Sequence, residues 1–385
     1  MRPPDAATKT VRLYGEEPQR SYGGFVRRSK LAYSSSFTRI SAPFTLRRTL
    51  SAHMKIRLFL LSTLFPALAH SAPMKLADYM ALTGPAPAAR VAYGPAPSQY
   101  AELFLPEGAG PHPVAVLVHG GCWTEKFGGI TQLRNMAGAL RERGIAVWNV
   151  EYRRVDEPGG GYPGMYEDMH AALEALEALA RQAGSNRLDL RQVVAVGHSA
   201  GGQLVQWIAG RSRIPAGSPL HRSGMLPVRA VVSLGGLADL RRERELIKAN
   251  CGRETPELAG QPSASRPDVY ADTNAAELLP NGSHTILVTG ELDTISPPRV
   301  AHDYAARARA AGDGAEVVIL PGASHYDEVA ASSASWPLVL GAIERALAAT
   351  NGAKRVATGA RQESKAGTDT AAQAEALTPA APAAR

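Results

Sequence analysis

The sequence predicts a doubly wound α/β fold, in which a mostly parallel sheet carries helices on both faces. Three observations lead there. Between about residues 74 and 350, apolar runs of four to six residues alternate with longer amphipathic stretches. Continuous apolar runs are what strands buried on both faces require, and their alternation with helices makes right-handed βαβ units. Glycine-rich and chemically reactive residues cluster just after the runs, where open α/β sheets carry their ligands.

The elements follow in order. Val114–Val118 reads as the first buried strand and ends at His119-Gly120-Gly121. A helical pattern through Met136–Leu140 leads to a strand at Ala146–Val150. An amphipathic helix is predicted over Met165–Arg181, a strand over Val193–Val196 and a helix over Ala200–Ala209. Strands at Ala230–Leu234, Thr285–Thr289 and Val317–Leu320 alternate with helices near Pro298–Ala311 and Trp336–Ala349. No internal repeat interrupts this pattern.

The two ends of the 385-residue chain differ from its body. The net charge of +7 would suggest a polyanionic partner, but residues 1–53 hold ten Lys/Arg against three acids. The remaining 32 basic and 32 acidic residues balance. A neutral body has no electrostatic footprint for nucleic acid. Met54 opens a secretory-signal pattern: Lys55 and Arg57, an apolar run from Leu58 to Leu68, and Ala67-Leu68-Ala69 as an A-x-A cleavage site. The run is too short for stable membrane insertion, which needs about 20 apolar residues. The expected organisation is a spurious or disordered leader over 1–53, a signal peptide over 54–69, a catalytic domain over 70–350 and a disordered Ala/Thr/Pro-rich tail over 351–385. Export to the periplasm or medium is the expected localisation.

Gly197-His198-Ser199-Ala200-Gly201 is a G-x-S-x-G sequence. The match alone is weak, but a predicted strand runs directly into it and a helix directly out of it, the context a nucleophile elbow requires. A serine hydroxyl needs a base, and His325 follows the last strand in a loop that can reach back over the sheet. Asp293, after the preceding strand, is placed to orient the imidazole, with Asp239 as runner-up and Glu291 behind it. Ser199, Asp293 and His325 then stand in the chain order of such sheets. His119 and His198 read as packing and loop-fixing residues within the two glycine-rich loops, and His302 falls in a helix. An oxyanion hole would draw on the backbone N–H of Ala200 together with Gly121 and Cys122, or Gly120. Trp123 reads either as a pocket residue beside the acyl site or as plain core, and His198 as a second pocket residue. No metal-ligand or phosphate-cradling spacing occurs, so neither a metal nor a cofactor is expected.

His119-Gly-Gly-Cys-Trp123, Glu151-Tyr152-Arg153, Gly161-Tyr162-Pro163 with Asp168, and Gly197-His-Ser-Ala-Gly201 together resemble the esterase/lipase branch of the α/β-hydrolases. The likeness covers nearly all of residues 90–350 and is strongest to kynurenine formamidase-like enzymes and small carboxylesterases. It implies an α/β-hydrolase fold, an oxyanion hole on the H-G-G-x-W loop, a structural role for Asp168, and a Tyr152-Arg153 segment that buttresses that loop. It also implies a carboxylic ester hydrolase acting on small or medium acyl substrates. The alternatives are an arylformamidase cleaving an amide and, from a different class, an inactive binding scaffold. The partner is in each case a small-molecule ester or amide. Residues 74–100 are too short for a large cap, so any lid should be small, with 241–283 as its best candidate. Cys122 and Cys251 could pair in an exported protein, but two buried free thiols are the favoured expectation.

Overall fold

The computed structural model describes residues 72–182 and 186–350; the expected leader, signal peptide and C-terminal tail lie outside the described residues. Its sheet contains β1 (Ala89–Ala92), β2 (Tyr100–Phe104), β3 (His112–Val118), β4 (Ala146–Val150), β5 (Leu188–His198), β6 (Ala230–Leu234), β7 (His284–Gly290) and β8 (Gly314–Leu320). They lie side by side in the order β1-β2-β4-β3-β5-β6-β7-β8. From β4 to β8 every pairing is parallel, while β1–β2 and β2–β4 are antiparallel. The helices are α1 (Leu76–Met80), α2 (Arg134–Glu142), α3 (Gly164–Arg181), α4 (Ala200–Gly210), α5 (Arg244–Cys251), α6 (Thr255–Ala259), α7 (Pro298–Ala311) and α8 over 336–350.

Strand periodicity explains the two layers. Successive side chains point to opposite faces, so Val114, Val116 and Val118 join one core with Leu173, Leu204 and Tyr304 from α3, α4 and α7. Ala115 and Leu117 join the other, with Met136 and Leu140 of α2 and Ile343 of α8. β5 divides in the same way, Ala195 facing the first core and Val196 the second. Burial on both faces is why these strands read as unbroken apolar runs.

The six parallel strands are the six that sequence predicts. The antiparallel pair β1–β2 escapes the pattern because β2 carries Glu102 at its centre. That carboxylate is fully buried and held by the Arg134 guanidinium, whose Nε donates to it at 2.9 Å. A buried charge with its partner on a helix 32 residues away looks, in sequence, like an interrupted strand.

Cys122 and Cys251 form a disulfide with Cα atoms 5.2 Å apart, which corrects the expectation of free thiols. The bond joins the loop after β3 to the last residue of α5. No local spacing announces it, because 129 residues separate the two cysteines and only the folded sheet brings them together. Constraining an unfolded loop of that length is worth up to about 5 kcal/mol on the chain-entropy account. Cys251→Ser should therefore lower the denaturation midpoint by an amount equivalent to several kcal/mol. Chemical denaturation of wild type with and without reductant should reproduce most of the difference, and equal midpoints would remove the bond from the stability account.

Candidate active site

Three loops at the C-terminal ends of β5, β7 and β8 carry the predicted chemistry. Ser199 lies between β5 and α4 with φ 54° and ψ −117°, left-handed backbone on a non-glycine residue. Its neighbours show what imposes this. A Cβ on Gly197 would lie 2.2 Å from the carbonyl oxygen of Gly201, and one on Gly201 would lie 2.1 Å from that of Val118. Both positions admit glycine alone, and the strain at Ser199 is the cost of turning the chain within that space.

His325 and Asp293 form a buried pair, with His325 Nδ1 2.7 Å from Asp293 Oδ2. The second oxygen of Asp293 accepts the backbone N–H groups of Ile295 (2.7 Å) and Ser296 (2.9 Å), which fixes the carboxylate's orientation. Ser199 and His325 line one small cavity of about 70 Å³ together with Gly121, Cys122 and His198. The two alternative acids are occupied elsewhere. Asp239 binds the Arg307 guanidinium and accepts from Asn274 Nδ2 at 3.0 Å, and Glu291 accepts the Gly322 N–H at 2.8 Å.

The loop after β3 approaches from the other side. Gly121, Cys122 and Trp123 all have positive φ (106°, 52° and 54°). Among the described residues the N–H groups of Gly121, Cys122 and Ala200 meet no acceptor. Gly120 packs against the turn instead: a Cβ there would meet His198 and Ser199 at 2.9 Å. Behind the loop, His119 Nε2 lies 2.6 Å from Glu151 Oε1, and the His119 ring stacks on Tyr152 at 4.5 Å. Tyr152 donates its hydroxyl to the His119 carbonyl at 3.1 Å. Arg153 is held in turn by Asp168, through its backbone N–H at 2.9 Å and its guanidinium. Tyr152 thus buttresses the loop, as the resemblance implies, and Arg153 and Asp168 lock the segment beside it.

His198 lines the cavity but is also fully buried, and its Nε2 meets the His325 carbonyl at 3.0 Å, which anchors the histidine loop. Trp123 differs from the pocket reading. Its side chain is completely buried in the core and is not part of the cavity wall. The wall comes from Phe127, from Ile295, from Asn250 on α5, and from Leu76 and Tyr79 on α1. Asn250 belongs to the segment expected to act as lid. The α1 residues were missed, because a five-residue helix without strong periodicity gives no sign of where it folds back. His198, His325 and Glu328 are the one group of three among the described residues whose ligand-type atoms fall within 4.8 Å of one another; His325 is bonded to Asp293, His198 to the His325 carbonyl and Glu328 to the Gly290 N–H.

The fold and this arrangement define a class: an α/β-hydrolase of the esterase branch, a carboxylic ester hydrolase. The chain belongs to the BD-FAE family, which it matches over residues 102–307. That stretch contains Ser199 and Asp293, with His325 beyond its end. Similar solved structures include a bacterial heroin esterase, 26% identical with a TM-score of 0.51 over 65% of this chain and 79% of that one. Esterase B from Lactobacillus rhamnosis is 19% identical with a TM-score of 0.57, over 72% of this chain and 91% of that one. A truncated carbohydrate esterase from gut microbiota is 16% identical with a TM-score of 0.54, over 72% and 99%. No curated protein matches the sequence. The formamide-cleaving alternative draws no support from these likenesses.

The buttress has a pH signature. Burial alone would raise the Glu151 carboxyl, but the charge and hydrogen bond of His119, with Arg154 nearby, hold it down to about 2. An unfolded glutamate titrates near 4.3. A depressed folded value means stabilisation that is present above the unfolded value and lost as pH falls through 4 toward 2. Glu151→Gln should flatten the acid-side loss of stability in that window, and thermal melts of the two proteins from pH 7 to pH 2 would measure it. Parallel curves would show that the pair contributes no pH-dependent stability.

Proposed function

We propose that this enzyme cleaves carboxylic esters of small to medium acyl groups through a covalent acyl-enzyme on Ser199. His325 takes the Ser199 proton as the oxygen attacks the carbonyl carbon, and Asp293 holds the imidazole in the required tautomer. The N–H groups of Gly121, Cys122 and Ala200 stabilise the oxyanion of the tetrahedral intermediate. His325 passes its proton to the departing alcohol. Water then attacks the acyl-serine with His325 as base, releasing the carboxylic acid and restoring Ser199.

One observation carries the reading: a serine in strained left-handed backbone and the histidine of a buried histidine–aspartate pair line the same cavity. The small volume and the apolar residues Leu76, Phe127 and Ile295 in its wall favour a short acyl chain over a long one. Export after cleavage near Ala69, leaving His70 or Pro73 as the first residue, belongs to the same proposal. The Cys122–Cys251 bond supports it, because disulfides persist in oxidising compartments. Among the described residues no helix is long and apolar enough to cross a membrane.

Ser199→Ala should reduce turnover of p-nitrophenyl acetate below about a thousandth of wild type and abolish labelling by a fluorophosphonate probe, given the size of such effects. An unlabelled wild-type protein would point to a binding scaffold. Asp293→Asn should lower kcat by orders of magnitude while Asp239→Asn changes it far less, and the reverse ranking would move the acid to the loop after β6. The value of kcat/KM should rise with pH through a single ionisation as the imidazole becomes a competent base, then level off. A rise toward acid pH would exclude this mechanism.

A further inference from the structure

The proposed mechanism uses one buried acid beside His325, yet the structure places two there. Glu328 stands in a 3-10 turn, Asp327–Val329, just after the histidine, and its side chain has no solvent exposure. Its Oε1 accepts the Gly290 N–H at 2.8 Å, at the end of β7. Its Oε2 is buried and meets no donor. The nearest cationic candidate, His198 Nε2, is 3.9 Å away and already engaged by the His325 carbonyl at 3.0 Å. A Cβ on Gly235 would lie 2.5 Å from that oxygen and 2.8 Å from His325 Nδ1, so Glu328 and the imidazole edge that Asp293 binds flank the same glycine, their ligand-type atoms within 4.8 Å.

A fully buried carboxylate oxygen with no donor is costly. Two ionised carboxylates cannot share one imidazolium without a large Coulomb penalty. Both problems are solved if the orphan oxygen carries the proton and Asp293 accepts it. We propose that Glu328 is a positioning residue, a neutral carboxylic acid that donates a hydrogen bond to the Asp293 carboxylate and thereby sets how strongly Asp293 holds the proton on His325.

The surroundings agree from every side. Burial, then the charge of Asp293, pushes the Glu328 carboxyl well above the usual carboxylate range, and Asp327 adds to this. Asp327 is itself occupied, accepting the Met74 and Ser324 N–H groups at 3.0 and 2.9 Å. On β5, His198 is held neutral, well below its ordinary value, first by burial and then by His325. Among the described residues no cation therefore compensates a second negative charge at this spot. A donor on Asp293 spreads its charge and makes it less basic, so His325 loses its proton more readily and serves as base at lower pH. This rests on the ester-hydrolase reading for its kinetic consequence but not for the protonation state itself, and the test separates the two.

An infrared spectrum of wild type at pH 7 should contain a protonated carboxylic acid carbonyl band that Glu328→Gln removes, whether or not any ester is turned over. In kinetics, Glu328→Gln keeps a neutral group that donates to Asp293 and accepts from Gly290. The acid limb of its kcat/KM profile should stay within about 0.3 pH unit of wild type. Glu328→Leu removes the donor, and its midpoint should move up by about half a unit or more with roughly ten-fold lower kcat/KM. Absence of the infrared band overturns the proposal. A downward shift of about one unit in Glu328→Gln would do the same, because it would mean that the wild-type group is charged. A wild-type profile in Glu328→Leu would reduce Glu328 to a space-filler. Should the leucine variant fail to fold, the band and the glutamine profile decide.

Discussion

Everything at this site depends on how closely α4 can approach the end of β5. The chain reverses direction within one residue, and the only room for it lies where Gly197 and Gly201 have no side chain. The carbonyls of Gly201 and Val118 occupy the space that Cβ atoms would need. Ser199 absorbs the resulting strain in its own backbone, and the fold retains that strain because Ser199 N–H is fixed to the Leu234 carbonyl at 2.8 Å. The sheet thus supplies a rigid pedestal rather than a flexible loop, and the proposed nucleophile stands where two other strand ends converge.

The opposite wall needs a different kind of support. The loop after β3 runs through three successive residues of positive φ, which by itself would be mobile and costly. It is held from behind by polar contacts and from the front by a covalent one. His119, Glu151 and Tyr152 form a buried hydrogen-bonded stack beneath it, and Arg153 ties that stack to Asp168 on α3. The Cys122–Cys251 bond ties the loop to α5, whose Asn250 lines the cavity. Oxyanion donors are effective when they are already oriented before charge develops. Both supports fix the loop that carries the proposed donors, and neither needs to touch a substrate.

Burial has a further consequence at the histidine. His198, His325 and Glu328 lie within a few ångströms of one another and are buried, as is Asp293 beside His325. In such a place charges and dipoles act strongly on one another, because water screens them little. His198 serves as a neutral anchor for the histidine loop, and the Asp293 carboxyl accepts the Ile295 and Ser296 N–H groups in addition to meeting the imidazole.

By itself the sequence determined the parallel strands, the elbow at Ser199 and the placement of Asp293 and His325, because each rests on local physics. An apolar run marks a strand buried on both faces, glycines mark a turn too tight for Cβ, and the position of a loop after a strand puts it at the active end of the sheet. What the tertiary structure decided depends on contacts between distant segments. Cys251 meets Cys122 only after α5 packs over the loop, and Leu76 and Tyr79 reach the cavity only because α1 folds back onto the sheet. Trp123 packs into the core rather than the pocket, a placement set by its neighbours in the fold. Glu102 hid β2 by placing a charge inside it, and that charge is tolerable only with Arg134 beside it. Glu328 follows the histidine by three residues, an unremarkable acid in sequence, and only the fold strips it of solvent and sets it next to Asp293.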